Sequence, residues 1–102
     1  MTKIPVACTL TATDAGDRVE EWRAFLAAHV EEARRDGDIL RLRLRESDET
    51  LCAAADLSAR EKQCCGFFSF AIAIEADARW LDIAVPPDAS EILDDFAGLL
   101  SR

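Results

Sequence analysis

The stretch from Ile39 to Arg45 constrains the fold more than any other part of the sequence. It alternates between Leu40, Leu42 and Leu44 on one side and Arg41, Arg43 and Arg45 on the other. Such alternation is typical of a β-strand with one buried and one solvated face. The register is fixed, because a shift of one residue would bury three arginines. The chain must therefore build a sheet with an apolar face, and other segments must cover that face.

Three more segments alternate in the same way and are predicted to be strands, namely residues 6–11, 67–74 and 80–85. The last two follow one another through a short polar turn, which predicts an antiparallel hairpin. Helical spacing of apolar residues predicts a helix over residues 14–35 and a short C-terminal helix after residue 87. The apolar stripe of the first helix consists of Val19, Trp22, Phe25, Leu26, Val30 and Ala33.

A third helix is expected between the strand at 39–45 and the hairpin. Ser47 is a good N-cap residue, and the acidic residues after it suit the positive first turn of a helix. On this interpretation the helix continues to a pair of adjacent cysteines, and Gly66 ends it in the left-handed conformation. The alternative starts the helix at Ser58 and places residues 51–55 on an extra strand.

Taken in order, the predicted elements are β-α-β-α-β-β-α. This pattern indicates a single α+β domain over residues 1–102, a two-layer sandwich in which three helices cover one face of a four-stranded, mainly antiparallel sheet. The other face would be partly open, with the arginine row, several small residues and an exposed Trp80 on it. This face is either a dimerisation or partner surface, or simply solvated.

Charge and composition exclude several classes of function. The 20 acidic and 12 basic residues give a formal charge of -8, which opposes direct binding to nucleic acid or to an anionic membrane. The sequence has no apolar run as long as a signal peptide or a membrane span, so we expect a cytoplasmic protein without membrane contact. The four cysteines are then expected as thiols, either packed in the core or bound to a ligand.

Cys64 and Cys65, one helical turn after Glu61, are the strongest candidates for a functional site. Adjacent residues of a regular helix point about 100° apart, so both sulfurs can face one centre only if the helix ends at this point. Cys8, on the buried side of the first strand, is the candidate third sulfur. The negative partial charge at a helix C-terminus disfavours a reactive thiolate but suits a soft cation, which itself displaces the thiol protons.

We therefore predict a soft-metal site at Cys8, Cys64 and Cys65, with Glu61 as a tuning residue or an additional ligand. The sequence lacks the C-x-x-C pair of structural zinc sites, and two or three thiolates suit a mercuric or cuprous ion better than zinc. In the alternative interpretation all four cysteines only pack in the core. A further hypothesis is an organometal- or thiol-directed enzyme, in which Glu61 donates a proton to the carbon that leaves a thiolate-held mercury.

Three short motifs are spread over most of the chain. They are Ala7-Cys-Thr-Leu10, Arg18 followed by Glu21-Trp-Arg23, and Ala59-Arg-Glu61 leading to Cys64-Cys65, Phe67-Phe68 and Phe70. With these motifs the chain resembles a small actinobacterial domain family whose members occur alone or joined to MerR-type regulators. The resemblance implies a shared fold and makes Cys8, Glu61, Cys64 and Cys65 the motif positions. It implies no established activity, while the association with regulators implies a regulator partner and a sensory role for heavy metals or thiol stress.

Overall fold

The computed structural model describes residues 12–100, with side chains over residues 16–99. The elements are α1 (Ala12–His29), β1 (Val30–Asp36), β2 (Ile39–Leu44), α2 (Asp48–Cys64), β3 (Ser69–Ile74), β4 (Arg79–Ala84), a 3-10 turn (Pro87–Ala89) and α3 (Glu91–Leu100). The strands form one antiparallel sheet in the order β1-β2-β4-β3. The predicted α+β sandwich of three helices and four strands is confirmed. The predicted strand at residues 6–11, with Cys8, lies outside the described residues.

The core lies between the helices and one face of the sheet. The leucines of β2 are buried there as predicted, together with Leu81 and Ile83 of β4 and residues from all three helices, among them Trp22, Leu26, Leu57, Leu93 and Phe96. Burial of these side chains is the main favourable contribution to folding. Over residues 12–100, no helix is both long enough and apolar enough to cross a lipid bilayer.

The first hairpin corrects the sequence prediction. A helix reaching residue 35 is wrong, because α1 ends at His29 and residues 30–36 form the edge strand β1. The two-residue turn at Gly37 and Asp38 joins β1 to β2, and Gly37 has φ 60°, a conformation that glycine adopts without strain. Five of the seven residues of β1 are charged, so no apolar alternation marks it as a strand.

The start of α2 agrees with the sequence prediction, whereas its end does not. Ser47 caps the helix by accepting a hydrogen bond from the Thr50 N–H at 3.0 Å, so the longer helix is confirmed and a start at Ser58 is wrong. A left-handed Gly66 is also wrong, since Gly66 has no positive φ. The chain leaves the helix one residue earlier, through Cys65, whose φ of -129° and ψ of 83° end the helical conformation.

Two glycine substitutions test this backbone description. A Cβ atom would meet nothing within 4 Å at either Gly37 or Gly66, so alanine changes only the backbone preference. We expect Gly37→Ala to lower the free energy of unfolding by about 1 kcal/mol, because alanine is strained at positive φ. Gly66→Ala serves as the control and should change it by less than about 0.5 kcal/mol. Urea denaturation measures both, and equal losses would contradict the assignment.

The face of the sheet opposite the helices corrects a second prediction. Trp80 was expected to be exposed, but only 5% of it is accessible. The guanidinium carbons of Arg41, Arg34 and Arg43 lie 4.4, 5.1 and 5.9 Å from its ring centroid. Its Nε1 donates to Glu75 at 3.1 Å. Arginine side chains from β1 and β2 thus cover this aromatic ring. Use of this face by a partner or a second copy stays a prediction.

Candidate functional site

The middle of α1 packs beside the end of α2, and the candidate site lies at this contact. Arg18 and Trp22 are four residues apart on α1 and therefore share one face of that helix. Glu61 and Cys64 are three residues apart on α2 and share a face in the same way. Side chains from positions 39 to 46 residues apart in the sequence are thereby brought within hydrogen-bonding distance.

Glu61 is the buried centre of this contact, with 5% of the residue exposed. Its Oε1 accepts a hydrogen bond from the Trp22 Nε1 at 2.8 Å and another from the Arg18 Nη1 at 3.1 Å. A buried carboxylate is destabilising unless it is paired and hydrogen-bonded. The structure therefore places the predicted tuning residue in a network with a cation and an indole.

Arg18 uses all three of its guanidinium nitrogens. Besides Glu61, it contacts Glu21 through Nε at 3.3 Å and the Cys64 Sγ through Nη2 at 3.8 Å. Burial lowers the pKa of Arg18, but the hydrogen bonds to Glu61 and Cys64 raise it by more, so the net pKa lies above the usual value. The guanidinium therefore stays positively charged over the whole pH range in which proteins are folded.

A second ion pair encloses the first. The other carboxylate oxygen of Glu21 accepts a hydrogen bond from Arg60 at 2.7 Å, and this bond is the main reason that the pKa of Arg60 is raised. Arg60 also pairs with Asp56 at 3.1 Å, so the network contains the two cations Arg18 and Arg60 and the three carboxylates Glu21, Asp56 and Glu61. Its formal charge is therefore -1, and it joins α1 to the second half of α2.

The cysteines of the described chain occupy three different environments. Cys64 is partly exposed beside Arg18, Cys65 is buried in the core, and Cys52 is exposed farther upstream on α2. Over residues 16–99, no three histidine, cysteine or acidic side chains come together as a metal-ligand group. A site with three sulfurs would therefore need Cys8, which lies outside the described residues.

Aromatic rings hold the Trp22 indole in its orientation toward Glu61. The Trp22 ring stacks on Phe70 with a centroid distance of 6.1 Å and an interplanar angle of 12°. Phe96 of α3 and Phe25 of α1 contact it edge to face at 4.9 and 5.8 Å. Aromatic pairs in these geometries add to the stability that burial alone provides. Three aromatic rings, from β3, α3 and α1 itself, therefore direct the indole N–H toward Glu61.

Sequence reasoning missed Arg18 as a site residue. It placed Val19 on the buried stripe of the first helix, but Val19 is 43% exposed and Arg18 takes the inward position one residue earlier. The available signal was the spacing of four between Arg18 and Trp22, which puts an arginine in line with the apolar stripe. Such a residue needs a buried acidic partner, and Glu61 provides it.

Residues of two of the sequence motifs thus meet in one network. Arg18, Glu21 and Trp22 come from the second motif, and Arg60, Glu61 and Cys64 come from the third. Phe70, at the end of the third motif, packs on Trp22. Comparison of the chain with protein-family models, curated proteins and solved structures finds no match.

Proposed function

We propose that the chain is a cysteine-based binding or sensor domain for a soft metal ion or a thiol-reactive compound, with Cys64 as its accessible sulfur. The observation that carries the proposal is the 3.8 Å contact between the Arg18 guanidinium and the Cys64 sulfur. Arg18 is itself held from the inside by the buried Glu61. A partly exposed sulfur is thereby paired with a cation whose position the core fixes.

The charges of the network suit a thiolate-bound soft cation. A metal ion replaces the thiol proton when it binds, so the bound sulfur is a thiolate. A guanidinium N–H donates well to a negatively charged acceptor. Hydrogen bonds of this kind to a metal-binding side chain fix its orientation toward the metal. A divalent ion with two thiolates is neutral as a unit, so its binding would leave the formal charge of the network unchanged. Thiolate ligands select soft ions such as cuprous ion and zinc over magnesium and calcium.

The same contacts support a sensory role. A ligand on Cys64 that moves Arg18 would take one of the two donors away from Glu61, and the Trp22 indole would then carry the change into the packing of α1 on α2. Local charge changes of this kind are what switch proteins convert into a shift of packed elements. The family resemblance, with its implied association with regulators, points to the same class of function.

Metal uptake tests the proposal. We expect the wild type to retain one equivalent of Hg²⁺, Cu⁺ or Zn²⁺ in native mass spectrometry, and Cys64→Ser/Cys65→Ser to lose this retention, because the two thiolates provide most of the binding energy. Since Cys65 is buried, Cys64→Ser alone is measured as well, with circular dichroism to show that both variants are folded.

Cys52→Ser is the matched control for the uptake experiment. Cys52 is an exposed cysteine of the same helix, so its loss removes one thiol without touching the site. Uptake by Cys52→Ser should equal that of the wild type. The proposal would be wrong if folded Cys64→Ser/Cys65→Ser retained as much metal as Cys52→Ser. Cys8→Ser then separates a site of two sulfurs from a site of three.

A further inference from the structure

A groove runs along the solvent side of the contact between α1 and α2. Phe25 of α1 and Leu57 of α2 form its floor, and they are 5% and 4% exposed. Its walls are low, because they include Ala24 and Ala28 on α1 and Ala53 on α2. The volume of the groove is about 350 Å³. The helix pair therefore has an apolar trough on a side where surface helices usually carry long polar side chains.

The groove is about two helical turns long. Residues at spacings of three, four and seven line it on both helices, from Glu21 to Ala28 on α1 and from Ala53 to Arg60 on α2. Seven residues of a helix span about 10 Å. Binding sites for small molecules bury most of the surface of their ligand, but this groove is open to solvent. Its shape therefore suits a rod-like partner that lies along it.

The surface around the groove is acidic, whereas its middle is uncharged. From residue 16 on, α1 and α2 together carry seven carboxylates and four cations, and three of these cations are arginines already paired with carboxylates. Between the ends of the groove, residues 24–28 of α1 and 52–55 of α2 carry no charge, in a chain of which 31% is charged. A partner with an apolar ridge between positive charges would complement both parts of this surface.

We propose that this groove is a docking site for a basic amphipathic helix of another protein. The apolar residues of that helix lie against the alanines, and its lysines or arginines lie beside the carboxylates at the rim. Recognition of an amphipathic helix by an apolar groove uses anchors at i, i+3 or i+4 and i+7, which together span the length of this groove. A second copy of the chain is a poorer occupant, because each copy carries a formal charge of -8.

A purely local role of the alanines is the competing explanation. Alanine is the best helix former, so exposed alanines stabilise a helix whatever lies beside it. That explanation applies equally to Ala27 and Ala55, which are exposed on the same two helices but do not line the groove. The two explanations differ in what happens when longer side chains fill the groove.

The groove adjoins the thiol network. Glu21 and Arg60 line the groove and also bond to each other in that network. Glu21 accepts a further hydrogen bond from Arg18, which contacts the Cys64 sulfur. A basic partner that competes for the Glu21 carboxylate would therefore act on the contact between Arg18 and Cys64. This link to Cys64 rests on the proposed function, whereas the docking does not.

Fluorescence anisotropy of a labelled model peptide tests the docking on the metal-free, full-length chain. The peptide consists of lysine, alanine and leucine, is about 15 residues long so that it forms a helix, and carries leucines at i, i+3 and i+7. We expect a dissociation constant on the order of 10 μM, as for a small transient interface, at physiological ionic strength. A scrambled peptide without a leucine face, and a peptide with glutamate in place of lysine, should each bind at least roughly tenfold more weakly.

Two matched double variants locate the binding. Ala24→Gln/Ala28→Gln fills the groove with neutral side chains that suit a helix, and we expect it to weaken peptide binding roughly tenfold or more. Ala27→Gln/Ala55→Gln makes the same change outside the groove and should bind as the wild type does. Circular dichroism shows whether both variants are folded.

Three results would overturn the docking site. They are a wild type that does not bind the peptide, equal affinity for the scrambled peptide, which would indicate charge attraction alone, and equal affinities of the two double variants. Binding that weakens as the protein concentration rises would also overturn it, because a second copy would then occupy the groove. The experiment contains no metal, so its outcome is separate from that of the uptake experiment.

Discussion

Glu61→Leu is expected to lower the free energy of unfolding by about 3–5 kcal/mol. The substitution leaves the Arg18 guanidinium, whose side chain is 12% exposed, without its buried counter-ion. It also leaves the Trp22 indole N–H without its acceptor. A buried donor that loses its partner costs its desolvation free energy in full, and a buried charge costs more than a neutral group. Urea denaturation at neutral pH, followed by circular dichroism, measures the change.

Two controls separate the buried ion pair from the charge network in general. Glu21→Gln alters a carboxylate of the same network that is 42% exposed, and we expect it to cost less than about 1 kcal/mol. Arg18→Leu/Glu61→Leu should be more stable than Glu61→Leu alone, because it removes the charge that the single substitution leaves without its buried partner. If Glu61→Leu and Glu21→Gln were equally stable, Glu61 would not be the residue that holds Arg18 in place.

Trp80→Ala is expected to lower the free energy of unfolding by about 3 kcal/mol, which is the size of effect seen for large aromatic residues in cores. The substitution opens a space beneath Arg34, Arg41 and Arg43, and it removes the cation–π contacts that these side chains make. An exposed tryptophan, as the sequence alone predicts, would change stability by only about 0.5 kcal/mol. Guanidinium chloride denaturation distinguishes the two values.

The matched variants for Trp80 are Trp80→Phe and Arg45→Ala. Phenylalanine keeps a ring under the arginines and loses the hydrogen bond to Glu75, so we expect a loss of about 1 kcal/mol. Arg45 is an exposed arginine just beyond β2, and its replacement should stay within about 0.5 kcal/mol. A loss for Trp80→Ala no larger than that for Arg45→Ala would show that the arginines do not shield the ring.

The elements that sequence reasoning predicted correctly are those whose apolar pattern or cap is local. The leucine and arginine alternation defines β2, and Ser47 followed by acidic residues defines the start of α2. The β3–β4 hairpin follows from two alternating segments with a short connection between them. In each case the residues that determine the element lie within it, so no knowledge of tertiary contacts is needed.

The errors arise where a distant part of the chain decides the outcome. The charged segment 30–36 becomes a strand because β2 pairs with it, and its composition alone suits a solvated helix equally well. Trp80 lies on the outer face as the alternation requires, but its burial depends on arginines from two other strands. Alternation along a strand predicts which face of the sheet a residue lies on. It does not predict whether long side chains from neighbouring strands cover that residue.

The candidate site was predictable in part. The spacing of Glu61 and Cys64 on one helix face can be derived from the sequence, and both lie in the network. The contribution of Arg18 and Trp22 depends on how α1 packs against α2, and no local pattern determines that packing angle. The sequence therefore identifies the half of the site on α2, and the fold identifies the half on α1.

The placement of the two tryptophans gives each side of the sheet its own spectroscopic probe. The chain has two tryptophans and no tyrosine, and the sheet separates Trp22, beside the thiol network, from Trp80, beneath the arginines. Intrinsic fluorescence of Trp80→Phe therefore comes from the indole that donates to Glu61. The fluorescence of Trp22→Phe comes from Trp80 alone, on the opposite side of the sheet. A ligand at the cysteines and a partner on the arginine-covered face would thus give emission changes in different variants, without any added label.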